Sequence, residues 1–216
     1  MVDDRVNGVE TLRVSPTDPE PGALARAAGV LSRGGLVVFP TDTLYGLAAD
    51  PRNADGVARV YRAKVRVPQQ ALPLVAGDLE QVETLSTTLS ALTRRLADRF
   101  WPGPLSLVVD VVPSVVRDVH GGSGTVAVRV PDQAVARALA LGLGFPIVAT
   151  SANRSGSPAT CLADAAASAL EGEVDLVLDS GPTPGGEPST IVDARTDAPR
   201  LIREGAIPFS IVLEAL

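Results

Sequence analysis

The chain has 216 residues, enough for one full-sized domain at about 150 residues per domain, and 45% of them are hydrophobic, so it can bury a core without disulfide or metal staples. Nineteen Lys and Arg against 25 Asp and Glu leave a net charge of −6, a poor balance for a protein that lives on a phosphate backbone. One cysteine, Cys161, excludes an intramolecular disulfide, and one histidine, His120, excludes multi-histidine metal sites.

Residues 1–19, with prolines at 16 and 19, read as an irregular lead-in to one domain over 20–216. The N-terminus lacks the basic and apolar regions of a signal peptide. Apolar runs such as 36–39 and 105–109 fall short of the about 20 residues of a membrane helix, so a reduced, cytoplasmic protein is expected. The spacing of Leu24, Ala27, Ala28 and Leu31 predicts a helix over 21–33, with Gly34 in the left-handed position after it. Residues 36–39 read as a buried strand running into a hydroxyl-rich turn over 40–46. A helix follows over 53–64, then a short strand over 72–76. Apolar residues at Val82, Leu85, Leu89, Leu92 and Leu96 predict helix over 78–100, broken near 86–88. Strands over 105–112 and 125–130 flank a glycine-rich loop at His120. Asp132 is expected to cap a helix reaching Leu141. A strand over 146–150, an Ala-rich helix over 161–171, strands near 176–178, 190–192 and 201–202, and a helix over 208–215 complete the chain. Strands alternating with helices predict an α/β fold, a mixed sheet covered on both faces.

There is no phosphate-binding GxxxxGK[ST], and Gly142-Leu143-Gly144 is not followed by the third glycine of a dinucleotide fingerprint. What stands out is small polar clusters directly after strands, where ligands bind in covered sheets. Thr41, Asp42, Thr43 and Tyr45 form one; the same residues would make an ordinary turn. Lys64 and Arg66, two apart in an extended segment, would project on one face and grip two anionic groups, or simply complement a helix end. Ser151 and Asn153 would supply neutral donors to a negative charge, or make a local turn. Arg129, Ser189, Thr190 and Arg203 lie at strand ends. No GxSxG elbow and no oriented histidine support a serine nucleophile. Cys161 reads as structural.

Taken in order, these blocks resemble the YrdC family. They are Phe39-Pro40-Thr41-Asp42-Thr43-Leu44-Tyr45-Gly46-Leu47, then Lys64-Val65-Arg66, Trp101-Pro102-Gly103-Pro104-Leu105 and Val128-Arg129-Val130-Pro131-Asp132. After them come Thr150-Ser151-Ala152-Asn153, Ser155-Gly156, Ser189-Thr190-Ile191-Val192-Asp193 and Arg203-Glu204-Gly205-Ala206-Ile207. The resemblance covers about residues 20–210. It implies a twisted mixed parallel and antiparallel sheet, flanked by helices, around a concave cavity. It implies an L-threonylcarbamoyladenylate synthase that joins L-threonine, bicarbonate and ATP into threonylcarbamoyl-AMP and pyrophosphate, and a partner transferase complex that passes the threonylcarbamoyl group to tRNA. Mg²⁺ would arrive on the ATP phosphates, and the protein itself would hold no metal. The length is that of the family's short form. Two departures stand out: Gln69-Gln70-Ala71-Leu72 replaces the family's polar or basic residue before Pro73-Leu74, and Val65 stands where the family often has glycine.

By the same resemblance, Lys64, Arg66, Ser151 and Asn153 are expected to be catalytic. Thr41, Thr43, Tyr45 and Arg66 would bind threonine. Lys64, Arg129, Ser151, Asn153, Ser189 and Arg203 would bind ATP. Lys64 and Arg66 are expected at a solvent-reachable helix exit. The alternatives are a family relative with other carbamoyl or acyl-adenylate chemistry, and a non-catalytic RNA-binding module. The acidic balance and a content of four Phe, two Tyr and one Trp argue against the module, so tRNA binding is expected to be weak or absent.

Overall fold

The computed structural model describes residues 4–6, 8–65, 70–86, 88–170 and 172–216. Among them, eleven strands join in one mixed sheet. In chain order these are β1 (Asp4–Val6), β2 (Val9–Arg13), β3 (Val37–Phe39), β4 (Gly46–Ala49), β5 (Leu74–Val75), β6 (Leu105–Asp110), β7 (Thr125–Arg129), β8 (Ile147–Ser151), β9 (Leu176–Asp179), β10 (Thr190–Asp193) and β11 (Arg200–Arg203). Their spatial order is β1-β2-β9-β3-β4-β8-β5-β7-β6-β10-β11. The pairs β2–β9, β3–β9, β5–β7 and β6–β10 are parallel, while β3–β4, β4–β8, β6–β7 and β10–β11 are antiparallel.

The helices are α1 (Pro21–Ser32), α2 (Ala54–Lys64), α3 (Leu79–Leu85), α4 (Ala91–Phe100), α5 (Ala134–Leu143), α6 (Ala163–Ala169) and α7 (Phe209–Glu214). Strand parity assigns them to layers. Val37 and Phe39 face α1 and α5, packing with Leu31, Val135 and Leu139. Leu36 and Val38 face the other way, into a cluster with Val57, Val60 and Leu170 from α2 and beyond α6. A third cluster joins Leu96 and Ala97 of α4 and Val212 of α7 to Leu105 and Leu107 of β6 and Val192 of β10. The opposite face of β6, β7, β10 and β11 is the wall of a cavity.

Three local expectations change. Residues 9–13 are not irregular: β2 pairs in parallel register with β9, burying Thr11 and Leu12. Its short Val-Glu-Thr-Leu-Arg pattern acquires strand geometry only from the β9 edge. β4 follows the hydroxyl turn directly, pairing Phe39 with Gly46. A Cβ on Gly46 would come within 2.8 Å of the Phe39 ring, so the pairing needs glycine there. Helix α5 is capped by Gln133, whose side chain accepts from the amides of Val135 and Ala136; Asp132 instead pairs with Arg137.

Helix α2 starts after Asn53, whose side chain caps it by accepting from the Gly56 amide, and ends on Val65 in the left-handed region at φ 51°, ψ 47°. A β-branched residue is strained there, because Cβ crowds the following carbonyl by roughly 1–2 kcal/mol. Val65 is also 75% exposed, so its side chain gains little by packing. The Val65→Gly variant is therefore expected to be more stable by about 0.5–1 kcal/mol, the relieved strain less the greater chain entropy of unfolded glycine. A rise in the urea midpoint at unchanged slope is the measurement; a fall would mean that Val65 packs better than its exposure implies.

Candidate active-site cavity

One cavity of about 760 Å³ gathers residues from widely separated blocks. At one end stand Thr41, Thr43 and Tyr45 from the turn after β3, and Ser151 at the end of β8. Toward the other end stand Arg129 from β7, Ser189 before β10, and Arg203 from β11. Seven of the expected site residues thus share one space. Arg66 lies outside the described residues, as do the Pro68 and Gln69 that follow it.

Thr41 is the pivot of its turn. Its hydroxyl donates to the Leu44 carbonyl at 2.6 Å and accepts from the Thr43 and Leu44 amides. With that proton spent, the 3.1 Å contact between the Thr41 and Thr43 hydroxyls is donated by Thr43. Lone pairs of Thr43 Oγ1 are left for a ligand N–H. Tyr45 is wholly buried. Its hydroxyl donates to the Gly181 carbonyl at 2.7 Å, lies 3.3 Å from Asp179 Oδ1 and accepts from the Ser180 amide. It ties the loop after β9 to the turn and is not a free ligand group. The loop also closes on the turn through the Gly185 amide, which donates to the Thr43 carbonyl.

Lys64 corrects the expectation of an open helix exit. It is the chain's one lysine, it is 4% exposed, and it lies in helical rather than extended backbone. Its Nζ donates to the Ser151 carbonyl at 2.6 Å, the Asn153 carbonyl at 2.9 Å and Asn153 Oδ1 at 3.1 Å, and lies 3.4 Å from Ser151 Oγ. Ser151 Oγ donates to Asn153 Oδ1 at 2.6 Å, and the Asn153 amide nitrogen donates to the Ser157 carbonyl. Lys64, Ser151 and Asn153 are therefore brought together, with Lys64 and Asn153 buried behind Ser151. The ammonium fixes the turn after β8 and lays positive charge under it.

The other end is cationic. Arg129 Nη1 lies 2.7 Å from both carboxylate oxygens of Asp42, a pair only 11% and 12% exposed, so Asp42 fixes Arg129 from the turn after β3. Arg203 donates through Nη2 to the Ser189 carbonyl at 2.7 Å. Partial burial, and then the positive charge of Arg129, lower its pKa. Two guanidinium groups that repel each other in one cavity wall are a site that an anion stabilises. Ser189 Oγ pairs with Ser106 Oγ at 2.9 Å. The backbone of Gly205 packs so closely that a Cβ would fall 2.0 Å from the Pro188 carbonyl oxygen, which holds Arg203 beside Ser189.

Sequence reasoning did not find Ser106, Asp193, Arg195 or Arg200, all of which line this cavity. Strand parity carried the signal for two of them. Leu105 and Leu107 face the core, so Ser106 faces away; likewise Val192 is buried and Asp193 is not. Asp193 accepts two hydrogen bonds from the guanidinium of Arg195 and one from its amide, and the guanidinium holds the carboxyl below its usual range. His120 closes its loop by accepting from the Gly124 amide through Nδ1, a structural task. Cys161 is a free thiol, half-buried. Among the described residues no three His, Cys, Asp or Glu side chains cluster as a metal site, and no helix is long and apolar enough to cross a membrane.

The family model Sua5/YciO/YrdC, described as "Telomere recombination", matches residues 29–205. The chain belongs to this family. A Bacillus subtilis relative named threonylcarbamoyl-AMP synthase is 38% identical over 91% of this chain and 56% of its own length. A Mycobacterium leprae protein named putative threonylcarbamoyl-AMP synthase is 38% identical over 92% of this chain and 91% of its own. The crystal structure of Pyrococcus abyssi Sua5 complexed with L-threonine superposes with a TM-score of 0.88 at 35% identity, covering 95% of this chain and 60% of that one. The chain thus spans little more than half the length of the Bacillus and Pyrococcus relatives.

Two outcomes follow from the geometry. Amine-reactive acylation of the folded protein should leave Lys64 unmodified by mass spectrometry until denaturant is added, and Lys64→Met should cost about 1–3 kcal/mol of stability through carbonyls left without a donor. Rapid acylation of the folded chain would contradict the buried placement. Burial pushes the Tyr45 phenol up to about 12. The folded state then favours the neutral phenol. Its contribution is complete below about pH 10, the ordinary value for tyrosine, and is lost as pH rises toward about 12. Alkaline unfolding followed beside phenolate absorbance should show stability falling across that window, and the fall should be smaller in Tyr45→Phe.

Proposed function

We propose that this chain is a threonylcarbamoyl-AMP synthase, a nucleotidyltransferase that consumes L-threonine, bicarbonate and ATP. The observation that carries the reading is one cavity with a hydroxyl-lined end at Thr43 and Ser151 and a two-guanidinium end at Arg129 and Arg203, in a chain whose family relatives bear that name. The threonine-bound structure of the Pyrococcus neighbour supports threonine as the amino acid.

In this reading the threonine amine adds to bicarbonate with loss of water, giving a carbamate. A carbamate oxygen attacks the α-phosphorus of ATP, the bond to the β-phosphate oxygen breaks, and pyrophosphate departs. No protein nucleophile is needed, so positioning and charge stabilisation carry the catalysis. Thr43 Oγ1, left as an acceptor, suits an N–H of the amino acid. Arg129, Arg203 and Ser189 would take the phosphates, with Asp42 holding Arg129 in place. Lys64 and Asn153 would act mainly through the turn that carries Ser151. Arg66 keeps its proposed carboxylate-binding role from the resemblance alone. Mg²⁺ would enter as part of the substrate: the donors at the cationic end are guanidinium and hydroxyl groups, so its ligands would be phosphate and water. The product would pass to a transferase acting on tRNA, with weak or no direct tRNA binding by this acidic chain.

The test is pyrophosphate release with ATP, and mass spectrometry of the nucleotide product. Release should require threonine and bicarbonate together, and Arg203→Ala should lower it by roughly 10²-fold, as for loss of one preorganised charge-stabilising donor. Equal release without an amino acid would mean a plain ATPase and overturn the reading.

A further inference from the structure

The cavity does not end at Arg203 and Ser189. Its wall continues along the same face of β6, from Ser106 through Val108, with Asp110 next in that parity. Four residues of strand separate Ser106 from Asp110, or about 13 Å at roughly 3.3 Å per residue. Over that distance the chemistry changes. The anion-binding pair gives way to an apolar stretch of Val108, Ile191 and Ile202, and then to a guanidinium that is already neutralised.

That guanidinium belongs to Arg195. Its Nε donates to Asp193 Oδ1 at 3.0 Å, its Nη2 to Asp193 Oδ2 at 2.9 Å, and its Nη1 to Asp110 Oδ1 at 2.8 Å. Carboxylates on two different strands thus clamp the group in its own plane. The main chain before it is fixed as well: Ser90 Oγ and Thr93 Oγ1, at the start of α4, both donate to the Ala194 carbonyl. Arg195 lines the large cavity and also a small one of about 140 Å³ beside it, so it stands as a partition between them. A guanidinium whose edge is taken up by two carboxylates has little charge left to offer a phosphate. What remains is its flat face, which stacks on aromatic rings.

We infer that Arg195 is a stacking plate for the base of the nucleotide, marking the part of the cavity that lies past the phosphate-binding Arg203 and Ser189, away from Thr43 and Ser151. This rests on the adenylate-forming reading and adds to it the residue that receives the base. The apolar side chains of Val108, Ile191 and Ile202 lie between the two ends, where the nucleoside would run. Recognition through a face and not through polar edges means that Arg195 supplies affinity for any planar base, and none for a phosphate chain that lacks one.

Calorimetric titration with MgATP and, separately, with inorganic tripolyphosphate tests this on the full chain. Arg195→Ala is expected to weaken ATP binding roughly tenfold, the effect of one lost base stack, while tripolyphosphate binds as in the unaltered protein. That unchanged titration also reports that the variant is folded. Arg195→Lys keeps the charge between Asp193 and Asp110 but loses the plate, and is expected to bind ATP as weakly as Arg195→Ala. Equal weakening of both ligands, or full recovery of ATP affinity in Arg195→Lys, would show action through charge or structure and overturn the inference. So would unchanged ATP affinity in both variants. Failure of the unaltered protein to bind ATP at all would overturn the adenylate-forming reading, and this inference with it.

Discussion

The pleat of β6 divides this molecule into core and cavity, and most of the site depends on that division. Leu105 and Leu107 are buried against α4 and α7, and this fixes Ser106, Val108 and Asp110 on the other face. The neighbouring strands obey the same parity. Val192 is core and Asp193 is not; Val126 and Val128 are buried while Arg129 reaches the cavity. A shift of one residue in any of these registers would bury an arginine or an aspartate among leucines. The hydrophobic face therefore enforces the polar one, and the position of each cation follows from packing on the opposite side of the sheet.

Within that frame, charge is distributed by pairing. Arg129 is held by Asp42 and Arg195 by Asp193 and Asp110, while the guanidinium of Arg203 is directed to the carbonyl of Ser189. The result is a gradient along one wall. Positive field is least compensated around Arg203, where Arg129 also stands, and largely cancelled around Arg195. An acidic protein can in this way present a small region of positive field within an otherwise acidic balance of charge. Lys64 belongs to a different logic. Its Nζ donates to oxygens of Ser151 and Asn153 and so fixes the turn after β8 from behind.

Much of the fold can be read directly from the residues. The helix over 53–64 has an apolar face, the break near 86–88 separates α3 from α4, and the strand at 36–39 is a run of apolar residues; each is a local signal, and each appears. β2 and β4 carry weaker local signals, because their geometry comes from partners: β9 for one, Phe39 and β8 for the other. Likewise Gln133 displaces Asp132 as a cap by the path of the chain into α5, which composition does not encode.

The sequence by itself determined the polar blocks after the strands, the near absence of histidine and cysteine, and the acidic balance, because these are properties of residue type and order. Only the tertiary structure decided which blocks share a cavity and what each group is free to do. Thr41 and Tyr45 have hydroxyls whose protons are spent inside the fold, whereas Thr43 keeps acceptor capacity, and no local pattern distinguishes the three. Lys64 reads as an exposed cation at a helix end, yet the carbonyls of a turn some ninety residues away bury it. Arg195 carries no local signal, and β6 brings Asp110 to its side. The physical reason is the same in each case. A hydrogen-bonding group's availability is set by its partners, and in a sheet that mixes parallel and antiparallel neighbours those partners come from distant parts of the chain.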